Sequence, residues 1–204
     1  MNNKAIFLDR DGTINIEKQY LYKIEEFEFA SGALDGLKML KDAGFLLFII
    51  TNQSGIARGY YSEDDFRKLN DWMLNELENY GIHIEKVSYC PHHPSAVICK
   101  YKVECSCRKP NLGMYEEIIE RFNIDIENSW AVGDKIRDCS ICNTTNCRGI
   151  LVGDSESKDI IEQVNNNIIK NVIYKKNLYE AAEFIVEQAD KGIIDDGAYR
   201  KILS

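Results

Sequence analysis

Short apolar runs alternate along the chain with segments of helical periodicity. The runs Ala5–Leu8 and Phe45–Ile50 are continuously apolar, which is typical of strands buried on both faces. Between them, Leu34, Leu37 and Leu40 follow the spacing of a helix that Gly44 ends. This alternation predicts an α/β fold in which helices flank a parallel sheet.

The same pattern continues through the rest of the chain. Ser62 and Asp65 have the spacing of a capping box, so a helix is predicted after Ser62, ending at Gly81. The stretch 17–30 has no clean period and is interpreted as a loop or short flap. Further strands are predicted at 84–89, 130–132, 149–152 and 172–174, and further helices at 114–122 and 178–186.

One domain is predicted over residues 1–204. A chain of 204 residues can bury one good core, and neither a linker nor a charge block divides it. The core is expected at about 4–153, with residues 154–204 completing the fold. The tail at 190–204 is expected to be solvated, and no function is assigned to it.

Composition narrows the classes of partner. The formal net charge of −8 disfavours a nucleic-acid binder, since no basic patch is visible. The first apolar run is cut short by Asp9, which argues against a signal peptide, and no run is long enough to span a membrane. Seven cysteines, an odd number, favour metal ligands and buried thiols over disulfides. We therefore expect a cytoplasmic monomer with no nucleic-acid or membrane partner.

Polar clusters follow the predicted strands, at the edge where open α/β sheets bind ligands. Asp9 and Asp11 follow the first strand, and residues i and i+2 of an extended segment point the same way. Thr51, Lys109 and Asp134 lie in the other clusters. Together these residues can transfer a phosphoryl group through an aspartyl phosphate. A phosphate dianion repels a carboxylate, so Mg²⁺ is expected on Asp9 and Asp134.

Each residue of this set has an expected role. Asp9 is the nucleophile, and Asp11 is the acid that protonates the leaving oxygen and then the base that activates water. Thr51 and Lys109 donate to nonbridging phosphoryl oxygens, where charge concentrates as the bond breaks. Asp138 is expected to orient Lys135 or the residues around the metal.

A second cluster has the composition of a structural zinc site. Four residues, Cys90, His92, Cys105 and Cys107, can complete a tetrahedral shell, although His93 or Cys99 could substitute on spacing alone. Since Arg108 and Lys109 directly follow the last of these ligands, zinc would fix the loop that carries them. Cys139, Cys142 and Cys147 are interpreted as buried thiols and not as a second metal site.

Five strings carry a family resemblance: FLDRDGTIN, TNQSGIARG, YCPHHP, CSCRKPNLGM and VGDKIRD. Over about Ile6 to Val152 the chain resembles the haloacid dehalogenase superfamily, in the branch of the D-glycero-D-manno-heptose 1,7-bisphosphate phosphatases and their histidinol-phosphatase relatives. The resemblance implies a Rossmann-like sheet without a large cap domain, a magnesium ligand from the backbone carbonyl of Asp11, and the same four zinc ligands.

Substrate choice is expected to depend on the flap and the strand ends. Arg108 is expected to bind the second phosphate of a sugar bisphosphate or its hydroxyls. Lys18 and Gln19 depart from the His-Gly of the heptose enzymes. Histidinol phosphate is the alternative substrate, and a catalytically inactive zinc-stabilised binding module is a remote alternative. The expected substrate-binding residues are Glu17, Lys18, Gln19, Tyr20, Asn52, Gln53, Ser54, Arg108 and Lys135.

Overall fold

A six-stranded, all-parallel sheet forms the centre of the molecule in the computed structural model, which describes residues 2–190. The strand order is β3-β2-β1-β4-β5-β6, so the first strand of the chain is central. This topology confirms the predicted α/β class. The strands are β1 (Ala5–Leu8), β2 (Leu46–Asn52), β3 (Lys86–Cys90), β4 (Trp130–Gly133), β5 (Arg148–Val152) and β6 (Val172–Lys175).

Helices cover both faces of the sheet, which explains why its central strands are apolar throughout. All four residues of β1 are buried. One apolar core lies between the sheet and α1, α3 and α6, and a second lies between the sheet and α4, α5 and the 3₁₀ helix Ile136–Asn143. The helices are α1 (Ala33–Asp42), α2 (Ser54–Arg58), α3 (Glu63–Asn79), α4 (Gly113–Phe122), α5 (Lys158–Asn165) and α6 (Leu178–Asp190).

Local signals locate the helix ends well. The predicted capping box begins α3: Ser62 Oγ accepts from the backbone N–H of Asp65, and the Asp65 carboxylate accepts from the N–H of Ser62. Gly44 and Gly81 follow α1 and α3 with φ of 84° and 72°, a conformation in which glycine carries no steric penalty.

The structure adds elements that the pattern did not reveal. The five residues of α2 follow β2 almost directly and are too few to show a helical period. A 3₁₀ helix, not an α-helix, follows Asp134. The flap is a loop apart from one 3₁₀ turn at Ile24–Glu26 and an antiparallel bridge between Phe29 and Asn15.

The C-terminal part contributes to the same sheet. β6 and α6 occupy the predicted positions, and α6 packs against α1. Nearly all of the expected solvated tail lies outside the described residues. Within residues 2–190, no helix combines the length and the apolar character needed to cross a bilayer.

Leu37→Ala tests the core between α1 and the sheet. Leu37 is fully buried, so its truncation should lower the free energy of unfolding by about 2–5 kcal/mol. Urea denaturation measures this loss. Lys38→Ala on the exposed face of the same helix is the control and should change stability by less than about 0.5 kcal/mol. A loss below about 1 kcal/mol for Leu37→Ala would contradict the packing described.

Candidate active site

The C-terminal ends of three neighbouring strands bring polar side chains together. Asp9 follows β1, Thr51 lies near the end of β2, and Asp134 follows β4; all three are buried. Asp9, Asp134 and Asp138 can each offer a carboxylate oxygen within 4.8 Å of the others. The parallel sheet thus gathers residues from distant parts of the chain at the edge where the sequence predicts them.

The ammonium group of Lys109 lies within this carboxylate cluster. Its Nζ is 2.6 Å from Asp9 Oδ1 and 2.7 Å from Asp138 Oδ1, and it donates to the carbonyl oxygen of Ile50 at 2.6 Å. The contacts with Asp9 and Ile50 are hydrogen bonds, whereas the contact with Asp138 Oδ1 is an ion pair. Lys109 is buried, with 2% of its surface exposed.

Excess negative charge remains around Asp9. Burial raises the pKa of Asp9 to about 8; Lys109 opposes this rise, and the charges of Asp138, Asp134 and Asp11 add to it. Burial, followed by the charge of Asp138, raises the pKa of Asp134 to about 6. Three buried carboxylates face one ammonium, and such an oxygen-rich, electronegative cluster fits a hard divalent cation.

The Asp11 carboxylate is not part of this cluster and is held by hydrogen bonds from its neighbours. Arg10 Nη2 donates to both Asp11 oxygens at 2.8 Å, and Arg10 Nε donates to Oδ1 at 3.1 Å. Asn15 Nδ2 and Gln53 Nε2 also donate to it, at 3.1 and 2.9 Å. Arg10 is fully buried, so this fork fixes the orientation of Asp11. Sequence reasoning missed Arg10, because adjacent side chains of an extended segment normally diverge.

Asn52 and Gln53, expected to bind substrate, are hydrogen-bonded to other site residues. Asn52 Nδ2 donates to the carbonyl of Lys109, and the Lys109 N–H donates to Asn52 Oδ1, both at 3.0 Å. Gln53 Nε2 donates to Thr51 Oγ1 and to Asp11 Oδ2, each at 2.9 Å. The Tyr61 hydroxyl donates to Gln53 Oε1 at 2.5 Å. Both amides therefore position residues of the site.

Four residues of the cysteine-rich loop converge, and they are the set that the family resemblance implies. The Cys90, Cys105 and Cys107 sulfurs are separated by 3.1–3.6 Å, and His92 Nδ1 lies 3.4 Å from Cys107 Sγ and 3.7 Å from Cys90 Sγ. A tetrahedral zinc site with these ligands has edges of about 3.5–3.8 Å. The four residues thus fit a zinc ion in donor type, and their ligand atoms all lie within 4.8 Å of one another.

The other candidate ligands lie elsewhere. His93 Nε2 is 3.4 Å from Arg58 Nη2, and Cys99 is exposed outside the cluster. Cys139, Cys142 and Cys147 are buried in the apolar core beside α4, in agreement with their interpretation as core thiols.

The cysteine cluster also anchors the segment that carries Lys109. Arg108 Nη1 donates to the carbonyl of His92 at 3.1 Å, and Asn111 Nδ2 donates to the carbonyl of Cys105 at 2.7 Å. Residues on both sides of Lys109 are thereby tied to the loop, while Asn52 ties Lys109 itself to β2.

A cavity of about 380 Å³ opens beside Asp11. Gln19 and Tyr20 of the flap contribute to it with positive φ values of 51° and 61°. Arg137 also lines it. Sequence reasoning missed this residue, although it lies only three positions after Asp134 in the chain. The lining residues are Asp11, Glu17, Gln19, Tyr20, Asn52, Gln53, Ser54, Gly55, Tyr61 and Arg137.

Three of the expected substrate-binding residues are not among these lining residues. Lys18 Nζ instead contacts the carbonyl of Glu26 at 2.8 Å and the carboxylate of Glu28 at 3.1 Å, within the flap. Arg108 lines a neighbouring cavity of about 280 Å³ with Lys109 and Pro110. Lys135 is half-buried, and its backbone N–H donates to Asp138 Oδ2 at 2.9 Å.

This sheet, with its strand-end aspartates and buried lysine, is that of a HAD-like hydrolase, and a HAD-hydrolase-like family model matches residues 106–180. The chain is 47% identical over 145 residues to a D-glycero-beta-D-manno-heptose-1,7-bisphosphate 7-phosphatase of Haemophilus ducreyi, covering 71% of this chain and 79% of the relative. It is 48% identical over 135 residues to a D-glycero-alpha-D-manno-heptose-1,7-bisphosphate 7-phosphatase of Photorhabdus laumondii, covering 66% and 74%.

A solved structure agrees with these relatives. The D,D-heptose 1,7-bisphosphate phosphatase of B. bronchiseptica, complexed with magnesium and phosphate, is 29% identical with a TM-score of 0.78, covering 91% of this chain and 99% of that one. The chain therefore belongs to the heptose-1,7-bisphosphate 7-phosphatase family of HAD-like phosphatases, which confirms the resemblance seen in the sequence.

The raised carboxyl pKa values predict how stability depends on pH when no magnesium is bound. Asp9 and Asp134 bind protons more tightly in the folded state than in the unfolded one. The stability that these two groups contribute is fully present below the unfolded pKa of about 4. It is lost as the pH rises through their folded-state pKa values, about 6 for Asp134 and about 8 for Asp9. In buffer with zinc as its only divalent cation, the melting temperature should fall by several degrees between about pH 5 and pH 8.5.

Added Mg²⁺ should raise the melting temperature more at the higher pH, because it competes with protons for the same carboxylates. Asp134→Asn should make the decrease of the melting temperature with pH smaller, since only Asp9 of the two carboxyl groups still titrates. Differential scanning calorimetry with and without Mg²⁺ measures both effects. A melting temperature that rises over this pH range would show that the cluster is ionised without a cation.

Proposed function

We propose that this phosphatase removes the 7-phosphate of D-glycero-D-manno-heptose 1,7-bisphosphate through an aspartyl-phosphate intermediate. The observation that carries the proposal is the contact of Lys109 with Asp9 at the central strand end, beside a cavity lined by Asp11. The named activity of the relatives at 47% and 48% identity supports this choice of substrate.

In the first half-reaction, an Asp9 oxygen attacks phosphorus in line while the bond to the sugar oxygen breaks. Asp11 gives its proton to that departing oxygen, and the free sugar hydroxyl results. Lys109 and the Thr51 hydroxyl donate to the nonbridging oxygens as negative charge accumulates on them. The products of this step are heptose 1-phosphate, with a free 7-hydroxyl, and a phosphorylated Asp9.

In the second half-reaction, Asp11 is the base. Its carboxylate takes a proton from water, the water oxygen attacks phosphorus, and inorganic phosphate leaves as the Asp9 carboxylate is restored. Arg10, Asn15 and Gln53 hold Asp11 by hydrogen bonds in which its oxygens accept, so they position it for this step. Asp11 thus returns to its protonated form for the next turnover.

Magnesium is the catalytic cofactor in this proposal. Asp9 and Asp134 would hold it with their carboxylates, and Asp11 with its backbone carbonyl. Both oxygens of Asp138 already have partners, Lys109 and the N–H of Lys135, so Asp138 positions Lys109. Bound Mg²⁺ would neutralise charge on the phosphoryl oxygens. The magnesium and phosphate named for the B. bronchiseptica structure support this assignment.

Zinc is structural in this proposal, held by Cys90, His92, Cys105 and Cys107, as their mutual distances support. Glu17, Gln19, Tyr20 and Ser54 would contact the sugar, since they line the cavity beside Asp11. We also propose that the protein is a cytoplasmic monomer, with no nucleic-acid or membrane partner, that acts on a free sugar bisphosphate. Relatives named for either anomer match, so kinetics with both anomers would assign the anomer.

Asp9→Asn tests the covalent mechanism. The amide cannot act as the nucleophile, so kcat for phosphate release from heptose 1,7-bisphosphate should fall at least about 10³-fold. Circular dichroism and zinc content should match those of the unmodified protein. Mass spectrometry excludes deamidation to Asp. Asp71→Asn, on an exposed position of α3, is the matched control and should retain full activity. Appreciable turnover by Asp9→Asn would contradict the mechanism.

Cys107→Ser tests the structural role of zinc. Loss of one thiolate should lower zinc content, loosen the segment that carries Arg108 and Lys109, and reduce kcat/KM at least about tenfold. Cys99→Ser is the matched control, because Cys99 is an exposed cysteine of the same loop outside the four-residue cluster. Elemental analysis and phosphate-release kinetics measure both effects. A zinc-free protein with full turnover in Mg²⁺ would contradict the role.

A further inference from the structure

Tyr61 is a buried polar residue beside the catalytic groups that has no role in the mechanism above. It lies between α2 and α3, with 6% of its surface exposed, and its hydroxyl donates to Gln53 Oε1 at 2.5 Å. Burial raises the pKa of Tyr61 well above its usual range. The hydroxyl therefore keeps its hydrogen, and remains a donor, at any pH at which the enzyme is assayed.

Two contacts fix the ring of Tyr61 and hence the position of its hydroxyl. A Cβ atom on Gly55 would lie 2.2 Å from Tyr61 Cε1 and 2.9 Å from the hydroxyl oxygen, so the ring lies directly against the backbone of α2. Tyr22 of the flap stacks on the same ring, with centroids 5.4 Å apart and ring planes 16° from parallel. The hydroxyl thus reaches Gln53 from a side chain that is held by packing.

The Tyr61 hydroxyl determines which end of the Gln53 amide faces the catalytic residues. A glutamine amide has an acceptor end, Oε1, and a donor end, Nε2. With Oε1 bonded to Tyr61, Nε2 donates to Asp11 Oδ2 and to Thr51 Oγ1, each at 2.9 Å. A reversed amide would take away the acceptor of the buried Tyr61 hydroxyl, which is a costly change.

Asp11 depends on this fixed amide because its protonation state changes during turnover. As a carboxylate, Asp11 accepts from Gln53, but in its protonated form it would donate to a reversed Oε1. Arg10 and Asn15 also contact Asp11 as donors. With the amide held, the side chains that hydrogen-bond Asp11 within residues 2–190 are all donors. The Asp11 proton is then available to the leaving oxygen.

Thr51 depends on the same amide. Because Nε2 donates to Thr51 Oγ1, the hydroxyl hydrogen of Thr51 is left for a phosphoryl oxygen. A reversed amide would present Oε1 to Thr51 and accept that hydrogen instead. Reversal of one amide would thus impair both the acid/base and a group that stabilises the phosphoryl oxygens.

We propose that Tyr61 is a positioning residue, which orients the Gln53 amide so that Asp11 gives its proton to the leaving oxygen and Thr51 donates to the phosphoryl group. The inference rests on the proposed function and deepens it. Because Tyr22 belongs to the flap, the segment that contacts the sugar also supports the ring on which this orientation depends.

Tyr61→Phe tests the inference, because it removes the hydroxyl and keeps the ring. With Mg²⁺ and zinc bound, kcat on heptose 1,7-bisphosphate should fall about 10- to 50-fold, while KM changes less than about threefold, since the lost contacts serve the transition state. Tyr80→Phe, at an exposed position directly after α3, is the matched control and should retain kcat. Thermal melting shows whether both variants are folded.

A double-mutant cycle with Gln53→Ala shows whether Tyr61 acts through the amide. Gln53→Ala alone should lower kcat at least about tenfold. In the Gln53→Ala protein, Tyr61→Phe should cost less than about a further twofold, because no amide remains to be oriented. Losses that multiply would mean that Tyr61 acts by another route, and the inference would be wrong.

A second substrate reports on the Asp11 proton. p-Nitrophenyl phosphate has a leaving group that departs as a stable anion, so it has less need of an acid than the sugar phosphate has. In the first turnover, measured by rapid mixing, the loss in Tyr61→Phe should be at least about threefold smaller on p-nitrophenyl phosphate than on heptose 1,7-bisphosphate. Equal losses on the two substrates would contradict the link to Asp11.

The outcomes distinguish the inference from the function on which it rests. Full kcat in Tyr61→Phe would overturn the positioning role while the proposed function stands. If the unmodified protein hydrolyses p-nitrophenyl phosphate and neither anomer of heptose 1,7-bisphosphate, the proposed substrate is wrong. The cycle of Tyr61→Phe with Gln53→Ala, measured on p-nitrophenyl phosphate, then still decides whether Tyr61 acts through the amide.

Discussion

The buried ammonium of Lys109 holds the site together. It lies between two carboxylates, Asp9 directly after β1 and Asp138 in the 3₁₀ helix after β4, which would otherwise repel each other in a poorly solvated space. Removal of one partner from such a group leaves an uncompensated buried charge, which is far more costly than loss of a surface ion pair. The geometry around the central strand therefore depends on the accurate positioning of one lysine side chain by the loop that carries it.

Both the sheet and the cysteine-rich loop position Lys109. Asn52, at the end of β2, pairs with both backbone polar groups of Lys109, and the cysteine cluster ends two residues before it. Arg10 and Gln53 similarly hold Asp11. These contacts place the chemistry on residues whose conformations are fixed before substrate arrives, and such preorganisation is the main source of electrostatic stabilisation in enzymes.

Much of the fold was predictable from the sequence, since buried parallel strands are continuous apolar runs and Ser62 and Gly44 mark helix ends. The strand-end location of Asp9 was predictable for the same reason. Spacing alone left His93 and Cys99 open as zinc ligands, and the family resemblance implied the set of four that converges. The hydrogen-bond partners of Asn52 and Gln53 were not predictable from the sequence. Asn52 bonds to a residue 57 positions away, and such pairing depends on strand register and loop path, which no local pattern encodes.

The paired hydrogen bonds between Asn52 and Lys109 affect how well the protein tolerates sequence changes in the cysteine-rich loop. They attach the backbone of Lys109 to the rigid sheet, so that movements of the outer loop have little effect on the position of the ammonium group. The solvent-facing part of that loop, where Val97 and Val103 are exposed, can then vary in sequence and length without disturbing the chemistry. Residues at the rim can thus diversify among related chains while the inner end of the loop stays constant.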